Sequence, residues 1–241
     1  MFDHVTLRAS DREASERFFD TVLPIAGLEK RSSSDWIAEW GHFSISPANE
    51  EKPPTRGLHV AFAAPSREVV DAVWEAGVEA GYHDDGEPGP RPQYRYDYYG
   101  GFLLDPDGNS VEAVHHGDSR EAGIDHMWIR VADADAAARF YDAVMPHAGY
   151  QRGHEEHGFQ QYRGASRTFS VVHDAPVTEN LHMAFPAEGN AAVDAFHRDL
   201  VAAGYRDNGP PGERAIYHPG YYGAFVLDPD GNNIELVCHN R

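Results

Sequence analysis

The chain repeats its own sequence over a domain-sized distance. Asp3-His4 returns as Asp125-His126, an offset of 122 positions (126 − 4). The octapeptide over 105–112 returns over 228–235, an offset of 123 (235 − 112). A period this long indicates a duplicated and fused domain rather than a solenoid repeat. The chain therefore holds two copies of one fold, and polar positions that recur in both copies are candidates for a shared role.

Length and composition agree with two globular domains. The chain has 241 residues, of which 41% are hydrophobic and 24% are charged, and these fractions are ordinary for globular proteins. We expect a first unit over 1–116, a polar, glycine-containing linker over 117–123 and a second unit over 124–241. Each unit is long enough to bury a core of its own.

The net charge limits the kinds of partner that the chain can bind, and the cysteine content indicates the compartment. The formal charge of −19 argues against nucleic acid and anionic membranes, because both require a basic surface. The chain shows no signal-peptide pattern and no membrane-length apolar run, and its single cysteine, Cys238, fits a reducing cytosol. We expect a cytoplasmic protein with a small-molecule partner, either a monomer that is internally a pseudo-dimer or a homodimer.

Apolar spacing predicts the same order of elements in each copy: a strand, a helix and two or three strands, twice over. Alternating residues over 2–9 and 124–131 predict strands, and helical spacing after Ser10-Asp11 and Asp133 predicts helices. The segment 105–109, Asp-Pro-Asp-Gly-Asn, is typical of a tight hairpin turn. The fold class is therefore α+β, with helices on one face of a mostly antiparallel sheet.

Three polar side chains recur on the strand face that points away from the helix-covered core. They are His4, His59 and Glu112 in the first copy and His126, His182 and Glu235 in the second. Two imidazoles and one carboxylate form a facial triad with open coordination positions, suited to Fe, Mn, Zn, Ni or Co. The six residues are predicted ligands of a divalent metal ion. Whether one ligand set comes from a single copy or from both stays open.

A tyrosine-rich segment precedes the last hairpin of each copy. Its members are Tyr94, Tyr96, Tyr98, Tyr99, Tyr217, Tyr221 and Tyr222. These rings either line a pocket for an aromatic ligand or form an ordinary strand surface. Tyr99, Tyr222 and His218 are the predicted catalytic side chains, with His218 as acid or base. Arg95 stands where His218 does, so we expect the two clefts to differ in selectivity rather than in metal ligation.

The order of these residues, with the stretch 102–112 and its copy over 225–235, resembles the vicinal oxygen chelate superfamily. That group contains glyoxalase I, bleomycin- and fosfomycin-resistance proteins and extradiol dioxygenases. The resemblance covers the whole chain and implies tandem paired βαβββ modules forming curved mixed sheets with helices on one face. It also implies a metal-dependent lyase or dioxygenase whose ion chelates vicinal oxygens of a small, possibly aromatic, substrate.

Two departures from the family pattern bear on the reaction. Glyoxalase-like members carry a further carboxylate ligand at the end of the fourth strand, where 43–46 and 169–172 contain no Asp or Glu. Extradiol dioxygenases have a tyrosine ten residues before the ligand glutamate, where this chain has Phe102 and Phe225. The alternative is a resistance-type protein that sequesters a metabolite or antibiotic without catalysis.

Overall fold

The computed structural model describes residues 2–117, 121–165 and 167–240. Within these ranges the chain forms four helices and two eight-stranded sheets. Positions 118–120 of the expected linker lie outside the described residues. None of the helices in the described ranges has the length and hydrophobicity of a membrane span.

The first copy contains two strand–helix–strands modules. Its elements are β1 (His4–Ala9), α1 (Arg12–Val22), β2 (Lys30–Ser33), β3 (Ala38–Trp40), β4 (Phe43–Pro47), β5 (Leu58–Ala63), α2 (Arg67–Glu79), β6 (His83–Pro90), β7 (Tyr99–Leu104) and β8 (Ser110–His115).

The second copy follows the same order. Its elements are β9 (Ile124–Val131), α3 (Ala134–Ala148), β10 (Gln151–Glu156), β11 (Phe159–Arg163), β12 (Thr168–His173), β13 (His182–Pro186), α4 (Asn190–Ala202), β14 (Arg206–Glu213), β15 (Tyr221–Leu227) and β16 (Asn233–His239).

The helices α1 and α3 begin at the predicted capping residues. The Asp11 carboxylate accepts a hydrogen bond from the Ala14 N–H at 2.9 Å, and Asp133 accepts from the Ala136 N–H at 2.9 Å. Each carboxylate satisfies one of the backbone donors that the first turn of a helix leaves unpaired. At its other end, α3 is closed by Gly149, whose φ of 71° is left-handed and costs glycine little.

Each sheet combines parallel and antiparallel strands. The strand orders are β14-β15-β16-β13-β1-β4-β3-β2 and β10-β11-β12-β9-β5-β8-β7-β6. β5 pairs with β8 in parallel and β13 with β16 in parallel, whereas the hairpins β7–β8 and β15–β16 are antiparallel. The α+β class and the mixed sheets agree with the prediction.

Contacts divide the chain into two compact units, Thr6–Trp128 and Met1–Val5 together with Ile129–Arg241. The core of the first is aromatic: the Phe43 ring lies 4.7 Å from Phe19 and 5.2 Å from Phe62, centroid to centroid. In the second, Phe2 lies 5.8 Å from Phe185. These rings are buried, so each unit has a hydrophobic core of its own.

Candidate metal centres

The six predicted ligands gather into two groups, and each group draws residues from both copies. Site I consists of His4, His182 and Glu235, and site II consists of His59, Glu112 and His126. In each site the potential ligand atoms lie within 4.8 Å of one another. The strands that carry them are neighbours in a sheet, β16-β13-β1 for site I and β8-β5-β9 for site II. In each site the first-strand histidine comes from the other copy.

Parallel pairing places each glutamate beside the histidine of its neighbouring strand. Glu112 on β8 lies across from Ala61 on β5, and Glu235 on β16 lies across from Ala184 on β13. In each case the histidine is two residues before the alanine and therefore shares its face of the sheet. The alanine methyl group leaves room for the carboxylate and the imidazole to meet.

Site II is a buried cluster of acceptor atoms. Glu112 Oε2 lies 3.1 Å from His59 Nε2 and 3.5 Å from His126 Nε2. The glutamate is 1% exposed, and its burial raises the pKa of Glu112 to about 7, although the interactions with His126 and Tyr98 act in the opposite direction.

Hydrogen bonds on the far side of each ring fix the tautomers at site II. The Ser110 hydroxyl donates to Asp85 at 2.7 Å, so its oxygen accepts from the Nδ1–H of His59 at 3.2 Å. Asp125 accepts from the Nδ1–H of His126 at 2.9 Å. Both Nε2 atoms therefore present lone pairs to Glu112. Three converging acceptors repel one another unless a cation lies among them, so the donor set fits a divalent metal ion.

Site I has the same design with a more exposed first histidine. Asp3 Oδ1 accepts from the Nδ1–H of His4 at 2.8 Å, and the Nε2 atoms of His4 and His182 are 3.0 Å apart. Glu235 Oε2 lies 3.1 Å from His182 Nε2. The Nδ2 atom of Asn233 lies 2.5 Å from His182 Nδ1, and the Asn233 side-chain oxygen accepts from Asn208 Nδ2 at 2.8 Å. The side chain of His4 is 27% exposed, which leaves site I open to a ligand.

A tyrosine and a glycine lie against each glutamate. The tyrosines belong to the tyrosine-rich segments, but they are not the ones predicted to be catalytic, and the sequence did not single out the glycines. The Tyr98 hydroxyl donates to Glu112 Oε1 at 2.7 Å, and that of Tyr221 donates to Glu235 Oε1 at 2.6 Å. Burial raises the pKa of both phenols far above the usual range, so both stay protonated donors. A Cβ atom on Gly100 would collide with Glu112 Oε1, so glycine leaves the space the carboxylate occupies.

An aspartate and a further histidine stand behind each first-strand histidine. Asp125 Oδ2 also accepts from His116 Nε2 at 3.0 Å. Burial alone would raise the pKa of Asp125, but hydrogen bonds and charge from His116 and His126 outweigh it and hold that pKa below the usual range. Asp3 in site I is bonded in the same way to His4 and His239. Such carboxylate–histidine pairs orient metal-binding imidazoles.

The three predicted catalytic side chains bond elsewhere. The Tyr99 hydroxyl donates to Asp71 on α2 at 2.8 Å, and that of Tyr222 donates to Asp194 on α4 at 2.8 Å. Both phenols therefore point to the helix side of the sheet, away from the glutamates. His218 contacts His239, with 2.8 Å between ring nitrogens, and packs on Tyr221, so it is connected to site I through these two rings.

Site II has aromatic neighbours. The Trp128 ring lies 5.7 Å from His59, and Tyr94 lies 5.6 Å from Trp128 at an angle of 88°. Trp128 is two residues after His126 on β9 and shares its face. The equivalent position on β1 is Thr6. The two sites thus have the same ligand types but different neighbours.

Comparison with known proteins places the chain in a family. A family model of the Glyoxalase/Bleomycin resistance protein/Dioxygenase superfamily matches residues 1–113 and 123–236. No curated protein sequence matches the chain. Glyoxalase I from Zea mays is 18% identical, with a TM-score of 0.70 over 99% of this chain and 92% of that one. A candidate dioxygenase from Bacillus subtilis subsp. subtilis str. 168 is 15% identical, with a TM-score of 0.66 over 100% of this chain and 85% of that one. These likenesses show the fold, and the match of the family model to both copies shows that the chain belongs to the glyoxalase/bleomycin resistance protein/dioxygenase superfamily.

Proposed function

We propose that the chain is a divalent-metal-dependent enzyme that acts on a small oxygenated substrate at site I and site II. The observation that carries the proposal is the convergence of two imidazole nitrogens and one carboxylate oxygen at each site. The second ring nitrogen of each of these histidines and the second oxygen of each glutamate are already hydrogen-bonded to neighbouring residues. This donor set suits Fe, Mn, Co, Ni or Zn.

The described part of the chain offers three side-chain ligands per site. At the fourth-strand positions, Ser44 and Ser170 are buried. A bound divalent ion would supply Lewis-acid polarisation of a substrate oxygen at the positions that the three ligands leave open. Within the described residues no second carboxylate serves as a fourth ligand, and this favours a substrate that occupies more than one of those positions.

The surrounding residues have separate roles in this proposal. Tyr98 donates to Glu112 Oε1, so only Oε2 is directed at the metal position. Asp125 holds the His126 ring in the tautomer that leaves Nε2 available. Trp128, with Tyr94 packed edge-on against it, gives site II an aromatic neighbour against which a planar substrate can pack.

Metal analysis tests the proposal. After reconstitution with Mn²⁺, Co²⁺, Ni²⁺, Zn²⁺ or anaerobic Fe²⁺, we expect about two ions per chain, one at each three-ligand site. Glu112→Gln and Glu235→Gln should each remove one ion. Glu155→Gln, an exposed residue paired with Arg152, is the control and should remove none. A protein that binds no ion under any of these conditions would contradict the proposal.

The second candidate function is sequestration of a metabolite or antibiotic without turnover. It is favoured by the placement of the acid and base groups: the phenols of Tyr98 and Tyr221 already donate to the glutamates, and His218 bonds to His239. A protein that binds a planar ligand at site II with neither bound metal nor product formation would support sequestration over catalysis.

A further inference from the structure

Behind His59 of site II, two hydrogen bonds lead to a carboxylate at the surface. The Ser110 hydroxyl donates to Asp85 at 2.7 Å, and its oxygen lies 3.2 Å from His59 Nδ1. A hydroxyl has one proton, and because this proton goes to Asp85, only the oxygen is left to face the ring. Ser110 is buried, whereas Asp85 is exposed. The second ring nitrogen of His59 therefore has an acceptor beside it.

Behind His182 of site I, the same two positions hold amides. Asn233 is the copy of Ser110, 123 positions later (233 − 110). Asn208 is the copy of Asp85 at the same offset (208 − 85). Asn208 donates to the Asn233 side-chain oxygen at 2.8 Å, and Asn233 Nδ2 lies 2.5 Å from His182 Nδ1. The second ring nitrogen of His182 therefore has an amide nitrogen beside it, and the line ends on a neutral residue.

A β-bulge in an edge strand brings the outer residue of each line into position. β6 pairs with β7 through Asp84 and then through Gly86, so Asp85 is the extra residue between them. The Asp84 carboxylate accepts from the Gly86 N–H at 2.8 Å, and Gly86 has a φ of 153° that favours glycine. β14 has the same irregularity around Asn208, followed by Gly209 with a φ of 153°. Bulges next to a site commonly re-aim a side chain, and here the bulged side chain reaches past β7 to β8.

The partner of the second ring nitrogen affects how readily a histidine binds a metal ion. A metal-binding imidazole donates its other N–H to an acceptor, and a carboxylate in that line strengthens the ligand. Site II supplies both in its present arrangement. In site I the Asn233 amide has to turn over so that its oxygen faces His182, and Asn208 then has to accept where it now donates. The amide of Asn208 also adds no negative charge.

We propose that Asp85 and Asn208 are positioning residues that give the two sites different affinities for a divalent metal ion, with site II the tighter. Each acts on its histidine through the first residue of the last strand, which is Ser110 on β8 and Asn233 on β16. The three ligands are of the same types in both sites, so this difference lies behind the ligands. The inference rests on the proposed function, because it concerns the ions that the two sites hold in that proposal.

Calorimetric titration with Co²⁺ measures each site by itself. Glu235→Gln leaves site II as the binding site, and Glu112→Gln leaves site I. Site II should bind Co²⁺ on the order of tenfold more tightly than site I. Equal affinities or a tighter site I would overturn the inference and leave the proposed function standing. If Co²⁺ binds at neither site the inference also fails, and the proposed function is decided by its own test with the other ions.

Exchanging the two outer residues tests whether they cause the difference, with each variant made in the background that retains its own site. Asp85→Asn should weaken Co²⁺ binding at site II on the order of tenfold. Asn208→Asp should tighten binding at site I, because the new carboxylate can only accept and so turns the Asn233 oxygen towards His182. Unchanged affinity in both variants would overturn the inference.

A charge control and a double variant separate positioning from a long-range effect of charge. Glu87→Gln removes one negative charge from the same strand, β6, and should leave the Co²⁺ affinity of site II unchanged. In a Ser110→Ala background, where the link to His59 is missing, Asp85→Asn should cause no further loss. A tenfold loss in either experiment would mean that charge acts through space, and the positioning role of Asp85 would be wrong.

Discussion

Glu112 is the carboxylate of site II. It is buried, and its Oε2 atom faces the lone pairs of two imidazoles. Burial raises the pKa of Glu112 to about 7, above the 4.5 of an unperturbed glutamate. Protonation therefore stabilises the metal-free fold, and the contribution is fully present below about pH 4.5 and lost as the pH rises through about 7. A bound cation would replace the proton.

The first prediction concerns this pH dependence. Between about pH 5 and about pH 8 the metal-free protein should lose unfolding free energy, on the order of 3 kcal/mol from Glu112 alone. Glu112→Gln should remove that part of the loss, since glutamine is neutral throughout. Urea unfolding at several pH values measures the unfolding free energy of both proteins. Burial raises the pKa of Asp105 to about 6, but its contribution is the same in both proteins and cancels in their difference. If the unfolding free energy changed equally with pH in both proteins, Glu112 would be ionised in the folded protein throughout this range.

The second prediction separates two adjacent tyrosines. Tyr98→Phe removes the donor to Glu112 Oε1 and should weaken metal binding at site II by about tenfold or more. Tyr99→Phe is its matched control, because that hydroxyl bonds to Asp71 on the helix side. It should leave metal affinity unchanged and lower the unfolding free energy by about 1 kcal/mol. Calorimetric titration and denaturant melts measure both effects, and the reverse order would restore Tyr99 as the site residue.

At the scale of elements, strand alternation explains why Tyr98 and not Tyr99 reaches the site. Phe102 lies across from Glu112 in the β7–β8 ladder, so Tyr98, Gly100 and Phe102 share the face of Glu112. Tyr99 shares the other face with Leu103, which is buried towards α2. The sequence carries this alternation, and counting back from Phe102 in steps of two finds the tyrosine that contacts Glu112. The prediction of Tyr99 and Tyr222 used the composition of the segment and not its register.

The third prediction concerns the glycine on this face of β7. Gly100→Ala should displace the Glu112 carboxylate and abolish metal binding at site II while site I still binds, because the new methyl group would meet Oε1. Gly189→Ala is the control: a Cβ there meets nothing within 4 Å, and the residue has an extended φ of 177°. Metal content per chain distinguishes two ions from one. Retention of both ions in Gly100→Ala would mean that the carboxylate can move without losing its ligand role.

The elements themselves were predictable because their signals are local. The caps at Asp11 and Asp133, the hairpin turn over 105–109 and the ligand-bearing face of the strands follow from neighbouring residues. The rings behind the ligands could not be predicted in this way. His116 and His239 lie at the ends of the last strands, and their bonds to Asp125 and Asp3 depend on which strand lies alongside.

At the scale of the molecule, the duplication does not by itself determine which ligands act together. Each copy carries His, His and Glu in the same order, so the sequence allows a set within one copy as readily as a set across two. Strand order decides between them: β1 lies next to β13, and β9 lies next to β5. The first-strand histidine of each copy consequently lies beside the last two candidate ligands of the other copy.

The last prediction uses pairs of substitutions to test whether each ligand set combines residues of both copies. His4→Ala with Glu235→Gln damages one site twice and should leave one metal ion per chain. His4→Ala with Glu112→Gln damages both sites and should leave none, because His4 belongs with Glu235 and not with Glu112. The mirror pairs use His126, with Glu112 as the same-site partner and Glu235 as the cross-site partner. Metal content after reconstitution and gel filtration gives the result. If the two outcomes were interchanged, the ligand sets would follow the sequence copies, and the strand order that brings β1 beside β13 would be wrong.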